Sequence, residues 1–219
     1  MNKNTILEKL DALWRQSYES LIDSFFYLPW GGENLFRIKT VEFANLATGE
    51  QVLDLCCGSG KLIPYISPYV APNGHITAVD ICESAIRIAR KKTKNQSITL
   101  HLASATHLPF RTSFFDKCFI SMGLHHMSKH DRYLTLREVC RVLKTGGSLI
   151  VDEYHLPEKT LSRVMAHAFI KAYESIGAHK MIASASLIKE IEIAGLKIKR
   201  RKTICRGFIQ LVEAIRISP

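Results

Sequence analysis

Two acidic residues, a glycine-rich turn and a pair of histidines carry the chemistry this sequence offers. Asp54 lies in the apolar run Gln51-Val-Leu-Asp-Leu55, after which the chain passes through Cys56-Cys57-Gly58-Ser59-Gly60. A strand that ends near an acid and turns on small residues into a helix aims backbone N–H groups at a ligand beyond its carboxyl end. A dinucleotide would require a third glycine three residues after Gly60, and that position is Ile63. Asp54 would repel a diphosphate and attract a positively charged ligand. Asp80 stands 20 residues beyond Gly60, at the tip of a second apolar run. An acid there accepts hydrogen bonds from ribose hydroxyls in nucleoside-binding α/β folds, with a helix N-cap or a turn aspartate as its structural alternative. His125 and His126 follow a later apolar run, where a histidine can act as a general base or simply pack and cap a turn. His126 and His130 are four apart, but no carboxylate or thiol completes a ligand set, and no metal site is expected.

Short apolar runs alternate with amphipathic stretches, the pattern of an α/β protein. After the Asp54 strand, a helix is predicted over Lys61 to Tyr69, a strand over Gly74 to Asp80 and a helix over Glu83 to Lys92. Ser97 to Leu102 reads as a third strand, Phe115 opens a fourth, and Asp131 to Leu143 has helical periodicity. Gly146 and Gly147 are expected to stop that helix before a fifth strand, Ser148 to Asp152. A helix from Ser186 to Ala194 and strands at Leu196 to Thr203 and Phe208 to Ile215 complete the chain. At the other end, Thr5 to Ile22 reads as an amphipathic helix and Glu33 to Ala47 as a second. Between them, Phe25 to Gly32 is a dense aromatic cluster that suits either an acceptor-binding lid or a staple onto the sheet. Leu156 to Ala185 reads as helical, either capping the pocket or forming a partner surface.

With 219 residues, 47% of them hydrophobic and 23% charged, one folded domain is expected over 1–219. Its parts are N-terminal helices and lid (1–47), a ligand-binding half (50–152), and acceptor-side helices with the final strands (153–219). No apolar run approaches the ~20 residues that span a bilayer, and Met1 to Thr5 lacks the apolar core of a signal peptide, so a cytoplasmic location is expected. The six cysteines are scattered without a C-x-x-C pair, which argues against disulfides and structural zinc. The net charge of +10 gathers in Arg87 to Lys94 and Lys197 to Lys202. Without interleaved aromatics these stretches do not suggest nucleic acid; a solvated face or peripheral contact with an anionic membrane remain the alternatives. Oligomeric state is open.

The Asp54 turn resembles motif I of the class I S-adenosylmethionine-dependent methyltransferases, D-x-G-x-G-x-G, with Cys56 in place of the first glycine. Ala103 to Phe110 resembles the family's G-D-A-x-x-L-P-F, with Ser104 where an aspartate meets the adenine amino group. Phe115-Asp116 resembles its F-D-x-V motif, Asp116 lying too early on the strand to reach the chemistry. Arg137 to Gly147 resembles L-R-E-x-x-R-V-L-K-P-G-G. Tyr18-Glu19, Gly31-Gly32, Arg37 and the paired cysteines are most similar to the ubiquinone and menaquinone biosynthesis C-methyltransferases.

The resemblance implies a Rossmann-like, doubly wound, mostly parallel seven-stranded sheet with an antiparallel last strand and N-terminal helices. It implies S-adenosylmethionine as cofactor, held by Asp54, Cys56, Cys57, Gly58, Ser59, Gly60, Asp80, Ile81, Ser104, Ala105 and Met122. His125 and His126 are the candidate bases. Tyr18, Tyr27, Trp30 and Arg37 are the expected acceptor-binding residues, for a small, apolar or aromatic acceptor of lipid-soluble type such as a quinol. Methyl transfer to a phospholipid amine or another small N- or O-acceptor is the alternative, and the departures at Cys56 and Ser104 keep open a non-catalytic S-adenosylmethionine-binding protein.

Overall fold

The computed structural model describes residues 32–93, 97–158, 163–164, 167–168, 181–182 and 186–217. The expected leading helix with Tyr18, the aromatic residues Tyr27 and Trp30 of the cluster, and most of the 156–185 segment lie outside the described residues.

Seven strands form one sheet: β1 (Gln51–Leu55), β2 (His75–Asp80), β3 (Ile98–Leu102), β4 (Phe115–Ser121), β5 (Leu143–Tyr154), β6 (Leu196–Ile204) and β7 (Ile209–Arg216). Their order is β3-β2-β1-β4-β5-β7-β6, with β7 antiparallel to both neighbours. Among the described residues the α-helices are α1 (Gly32–Ala44), α2 (Ile63–Val70), α3 (Glu83–Lys92), α4 (Lys129–Val142) and α5 (Leu187–Ile193). The expected doubly wound fold and antiparallel last strand are therefore both present. β1 is buried on both faces and pairs in parallel with β2 and β4, which is why its sequence is a continuous apolar run without alternation. Leu53, Leu55, Phe119 and Ile120 are wholly buried there, each burial stabilising the fold by about 1.5–3 kcal/mol.

The strand order reverses direction between β1 and β4, so the loops leaving these two strands diverge and open a crevice at their carboxyl ends. Gly123 brings those loops together. A Cβ at that position would lie 2.9 Å from Cys56 Cβ, so a larger residue after β4 would push against the β1 turn.

The glycine pair behaves differently from the sequence expectation. α4 ends at Val142, and Gly146 and Gly147 lie inside β5. Pairing with β4 jumps from Phe115↔Leu143 to Lys117↔Ser148, so the glycines form a bulge in a strand that starts five residues earlier than expected. The cause is apolar: Leu143 is fully buried and continues the sheet before the turn residues are reached.

The Arg137–Gly147 motif also acquires a mechanical meaning. Glu138 accepts from the Leu108 N–H at 2.7 Å and pairs with Arg141 Nε at 2.7 Å, while Arg141 donates to the carbonyls of Phe110 and Leu108. The R-E-x-x-R spacing thus staples the loop after β3 to α4. Asp116 bonds the Gln51 N–H and Lys144 at the far end of the sheet, which keeps it away from the crevice as expected.

Candidate active site

Three residues of the β1 turn adopt left-handed backbone: Cys56 at φ 61, Gly58 at φ 53 and Gly60 at φ 74. Cys56 holds a conformation that glycine adopts without penalty, which accounts for a glycine at this place in the resembling motif. At Gly60 a Cβ would lie 3.1 Å from Ile63 Cδ1 and 3.2 Å from Ala89 Cβ, so its absence lets α3 close against the turn. Burial and the neighbouring carboxylates Asp80 and Asp54 keep the Cys56 and Cys57 thiols protonated, so neither serves as a nucleophile.

Asp80 binds the turn to the second strand. Its Oδ2 accepts from the Gly58 N–H and its Oδ1 from the Cys82 N–H, both at 2.8 Å. Asp80 thus closes a turn onto Cys82 without capping α3, whose N-cap Cys82 has no side-chain cap bond, and each oxygen keeps a further lone pair for a ribose hydroxyl. Beside it Ile81 is 74% exposed and Leu102, the register partner of Asp80, is 54% exposed. Two such apolar side chains flanking the strand tips are suited to sandwich a base. Ser104 is committed to its own turn, sharing a hydrogen bond with the Thr106 hydroxyl at 2.8 Å, and Ala105 packs on the core. Met122, at φ 51, donates its N–H to the Asp152 carbonyl and leads the chain out of β4.

The histidines separate. His125 is buried and His126 is exposed, although their ring centroids lie 3.9 Å apart. His125 Nδ1 lies 2.7 Å from Oε1 of wholly buried Glu153, which also accepts the N–H groups of Tyr154 and His125. Burial raises this acid, but the His125 charge and these hydrogen bonds outweigh it and hold Glu153 below the usual carboxylate range. An ionised Glu153 holds a hydrogen on Nδ1 in either state of the ring, so Nε2 is the nitrogen that gains or loses the proton, and it is basic when the ring is neutral.

Asp54 is 1% exposed, and its Oδ2 has no hydrogen-bond partner among the described residues. Burial, opposed by the Arg37 charge and reinforced by Asp152 and Asp80, pushes it up to about 7. Arg37 on α1 is bound to Glu33 at 2.6 Å, and Lys61 approaches the same glutamate at 3.1 Å. Among the described residues, no group of three histidines, cysteines or acids could hold a metal.

Residues 52–147 match the family described as a methyltransferase domain. They form a methyltransferase domain. The chain is 33% identical over 156 residues, 69% of its length, to the ubiquinone/menaquinone biosynthesis C-methyltransferase UbiE of Edwardsiella ictaluri, of which the match covers 59%. It spans about six-tenths of the length of the curated relatives it matches. Among solved structures it resembles a SAM-dependent methyltransferase from Aquifex aeolicus, with TM-score 0.67 and 20% identity, over 83% of this chain and 89% of that one. The [4+2]-cyclase SpnF is equally similar in fold, with TM-score 0.70 and 16% identity, over 86% and 83%. These likenesses establish the class I methyltransferase fold, and the cyclase illustrates that the fold alone does not name a reaction.

S-adenosylmethionine is the cofactor of this domain, and the residues fit it. A positively charged ligand answers the unpartnered buried oxygen of Asp54, and Asp80 with Ile81 answers a nucleoside. Sequence reasoning assigned the turn, Asp80, Ile81 and Met122 to one cofactor site and Arg37 to the acceptor, whereas in the structure the Arg37 charge acts on Asp54. It missed Glu153, Asp152 and Leu102. The signal available for the first two was a run of apolar residues, Leu149 to Val151, ending in consecutive acids.

Proposed function

We propose that the protein transfers the methyl group of S-adenosylmethionine to a small aromatic acceptor of the quinol class. The observation that carries the donor half is the buried Asp54 beside the glycine turn, whose Oδ2 has no hydrogen-bond partner among the described residues. The acceptor half is supported by the name of the UbiE relatives and by the buried His125 in the turn that follows β4. The cofactor supplies an electrophilic methyl on a sulfonium, so the protein needs no covalent nucleophile. On this reading the turn and Asp54 hold the methionine end, Asp80 the ribose, and Ile81 with Leu102 the base. His125 takes the ring hydroxyl proton at Nε2, which raises the nucleophilicity of the ring carbon, and Glu153 stabilises the imidazolium that results. Arg37 remains the proposed acceptor-side residue, together with Tyr18, Tyr27 and Trp30. The exposed basic residues Lys197, Arg201 and Lys202 on β6 favour contact with an anionic membrane, from which a lipid-soluble acceptor would be drawn.

Methyl-labelled S-adenosylmethionine is incubated with the protein and a bacterial extract, and the products are partitioned. Label entering the organic phase only with active protein supports the quinol class; label confined to the aqueous phase overturns it and favours polar acceptors. A protein carrying His125→Ala and His126→Ala is expected to bind the cofactor and lose turnover. Full turnover in that variant removes both histidines as the base.

A further inference from the structure

β5 carries an acid that the reading above does not use. Asp152 is 1% exposed; Ser121 donates its hydroxyl to Oδ1 at 2.9 Å, and Oδ2 has no hydrogen-bond partner among the described residues. Asp54 is in register with Phe119 of β4, and Phe119 with Ile150 of β5, so Asp152 projects from the same face of the sheet two residues nearer its carboxyl edge. Two buried carboxylates therefore share one face at the β1/β4 crevice, each with one oxygen lacking a donor.

The surrounding charges do not neutralise them. From α1 the Arg37 guanidinium acts on both acids, but it is already bound to Glu33. Asp80 from β2 acts on Asp54, and Glu153 acts on Asp152 from the neighbouring position of its own strand. β4 supplies only the Ser121 hydroxyl, the Thr40 hydroxyl of α1 favours the charged form weakly while it donates to the Phe36 carbonyl, and β7 sets apolar Leu211 opposite Asp152. Lys61 is turned to Glu33. Like charges in so dry a place cannot both ionise without a further cation; burial, against the Ser121 hydrogen bond and Arg37, pushes Asp152 up to about 7, as it does Asp54.

We infer that Asp152 is a second carboxylate of the donor site, paired with Asp54, so that binding a sulfonium ligand displaces a proton the two acids hold and the charged donor is preferred over the neutral thioether product. This rests on the methyl-donor reading but not on the identity of the acceptor. The proton passes to solvent, and the ligand's extra positive charge replaces it between the carboxylates. No bond of the ligand is broken.

The test is calorimetric titration of the purified protein with S-adenosylmethionine and with S-adenosylhomocysteine, between pH 6 and pH 8.5, in buffers of different ionisation enthalpy. The wild type is expected to release protons on binding S-adenosylmethionine, with affinity rising about tenfold from pH 6 to pH 8, the span over which one proton near neutrality is lost. Asp152→Asn is expected to reduce the preference for the charged ligand about tenfold and to abolish the extra proton release, ionisation of the ligand itself being common to both proteins. Ser121→Ala, which leaves both acids in place, is expected to move the pH at which affinity levels off upward, because the charged form of Asp152 loses a hydrogen bond. It keeps the test alive if the Asn variant does not fold. Wild-type ligand preference and proton release in Asp152→Asn, or an unmoved pH profile in Ser121→Ala, overturn the pairing while leaving the donor reading intact. Failure of the wild type to bind either ligand overturns both.

Discussion

Asp152 and Glu153 are neighbours on one strand, equally withheld from water, and their acidities move in opposite directions. Glu153 has three donors: the His125 ring, the His125 N–H and the Tyr154 N–H. It stays ionised. Asp152 faces the other side of the sheet, where it has the Ser121 hydroxyl and one oxygen without a donor, and it is raised to about 7. Desolvation acts on both, so the difference comes from partners alone. A satisfied buried acid works on a residue of its own chain, here by orienting His125. An unsatisfied one is a site awaiting charge from outside.

The sharpest way to break this contrast is to remove the partner from the satisfied side. His125→Ala leaves Glu153 buried and uncompensated, and urea unfolding is expected to show a loss of about 3–5 kcal/mol. A loss below ~1 kcal/mol would mean that Glu153 does not depend on the histidine. Acidity gives the next largest effect. Asp54 and Asp152 bind protons more tightly in the folded protein than in the unfolded chain, so stability falls as pH rises from about 4 to about 7, by up to about 1.4 kcal/mol per unit for each group. Glu153 works in the opposite sense: its contribution is present above the ordinary glutamate range and fades as pH falls through its lowered value. A series of urea titrations from pH 3 to pH 8 should therefore show an acid limb and, separately, a decline toward neutrality. A flat profile between pH 5 and pH 7 would contradict the assignment of the aspartates.

Smaller still, Asp152→Asn is expected to stabilise the ligand-free protein at pH 8 by about 1–2 kcal/mol, because it removes a buried charge and keeps an acceptor for Ser121. A lowered thermal midpoint would show that the ionised acid is structurally needed. His126→Ala should change stability by less than ~0.5 kcal/mol, since the side chain is exposed. A cost approaching that of His125→Ala would make the stacked ring pair, and not the link to Glu153, the source of the histidine's rigidity.

Features set by short-range sequence were legible. The β1 run, the glycine turn and the acid at the tip of β2 are each local, and α3 spans the residues its periodicity predicts, Glu83–Lys92. Asp116 was correctly excluded because position along a strand fixes which end of the sheet a residue serves. The rest depended on partners distant in sequence. Glu153 finds His125 across 28 residues, and Asp152 becomes informative only when the β1–β4–β5 register sets it beside Asp54. The glycine pair misled because Gly-Gly marks a helix end and a strand bulge equally well, and buried Leu143 decided between them. The similarity of His125 and His126 in sequence likewise concealed that one turn of 3₁₀ helix, Leu124–His126, directs them to opposite environments.

The insertion of β7 between β5 and β6 constrains how the protein is made. β5 holds both contrasting acids, yet one of its edges pairs with a segment that leaves the ribosome after β6. Synthesis can complete the parallel strands β1 to β5 early, but the strand bearing Asp152 and Glu153 keeps an open edge until the chain beyond residue 209 arrives and enters a gap between two strands already made. During translation this edge is the place where a chaperone, or a wrong strand, would bind.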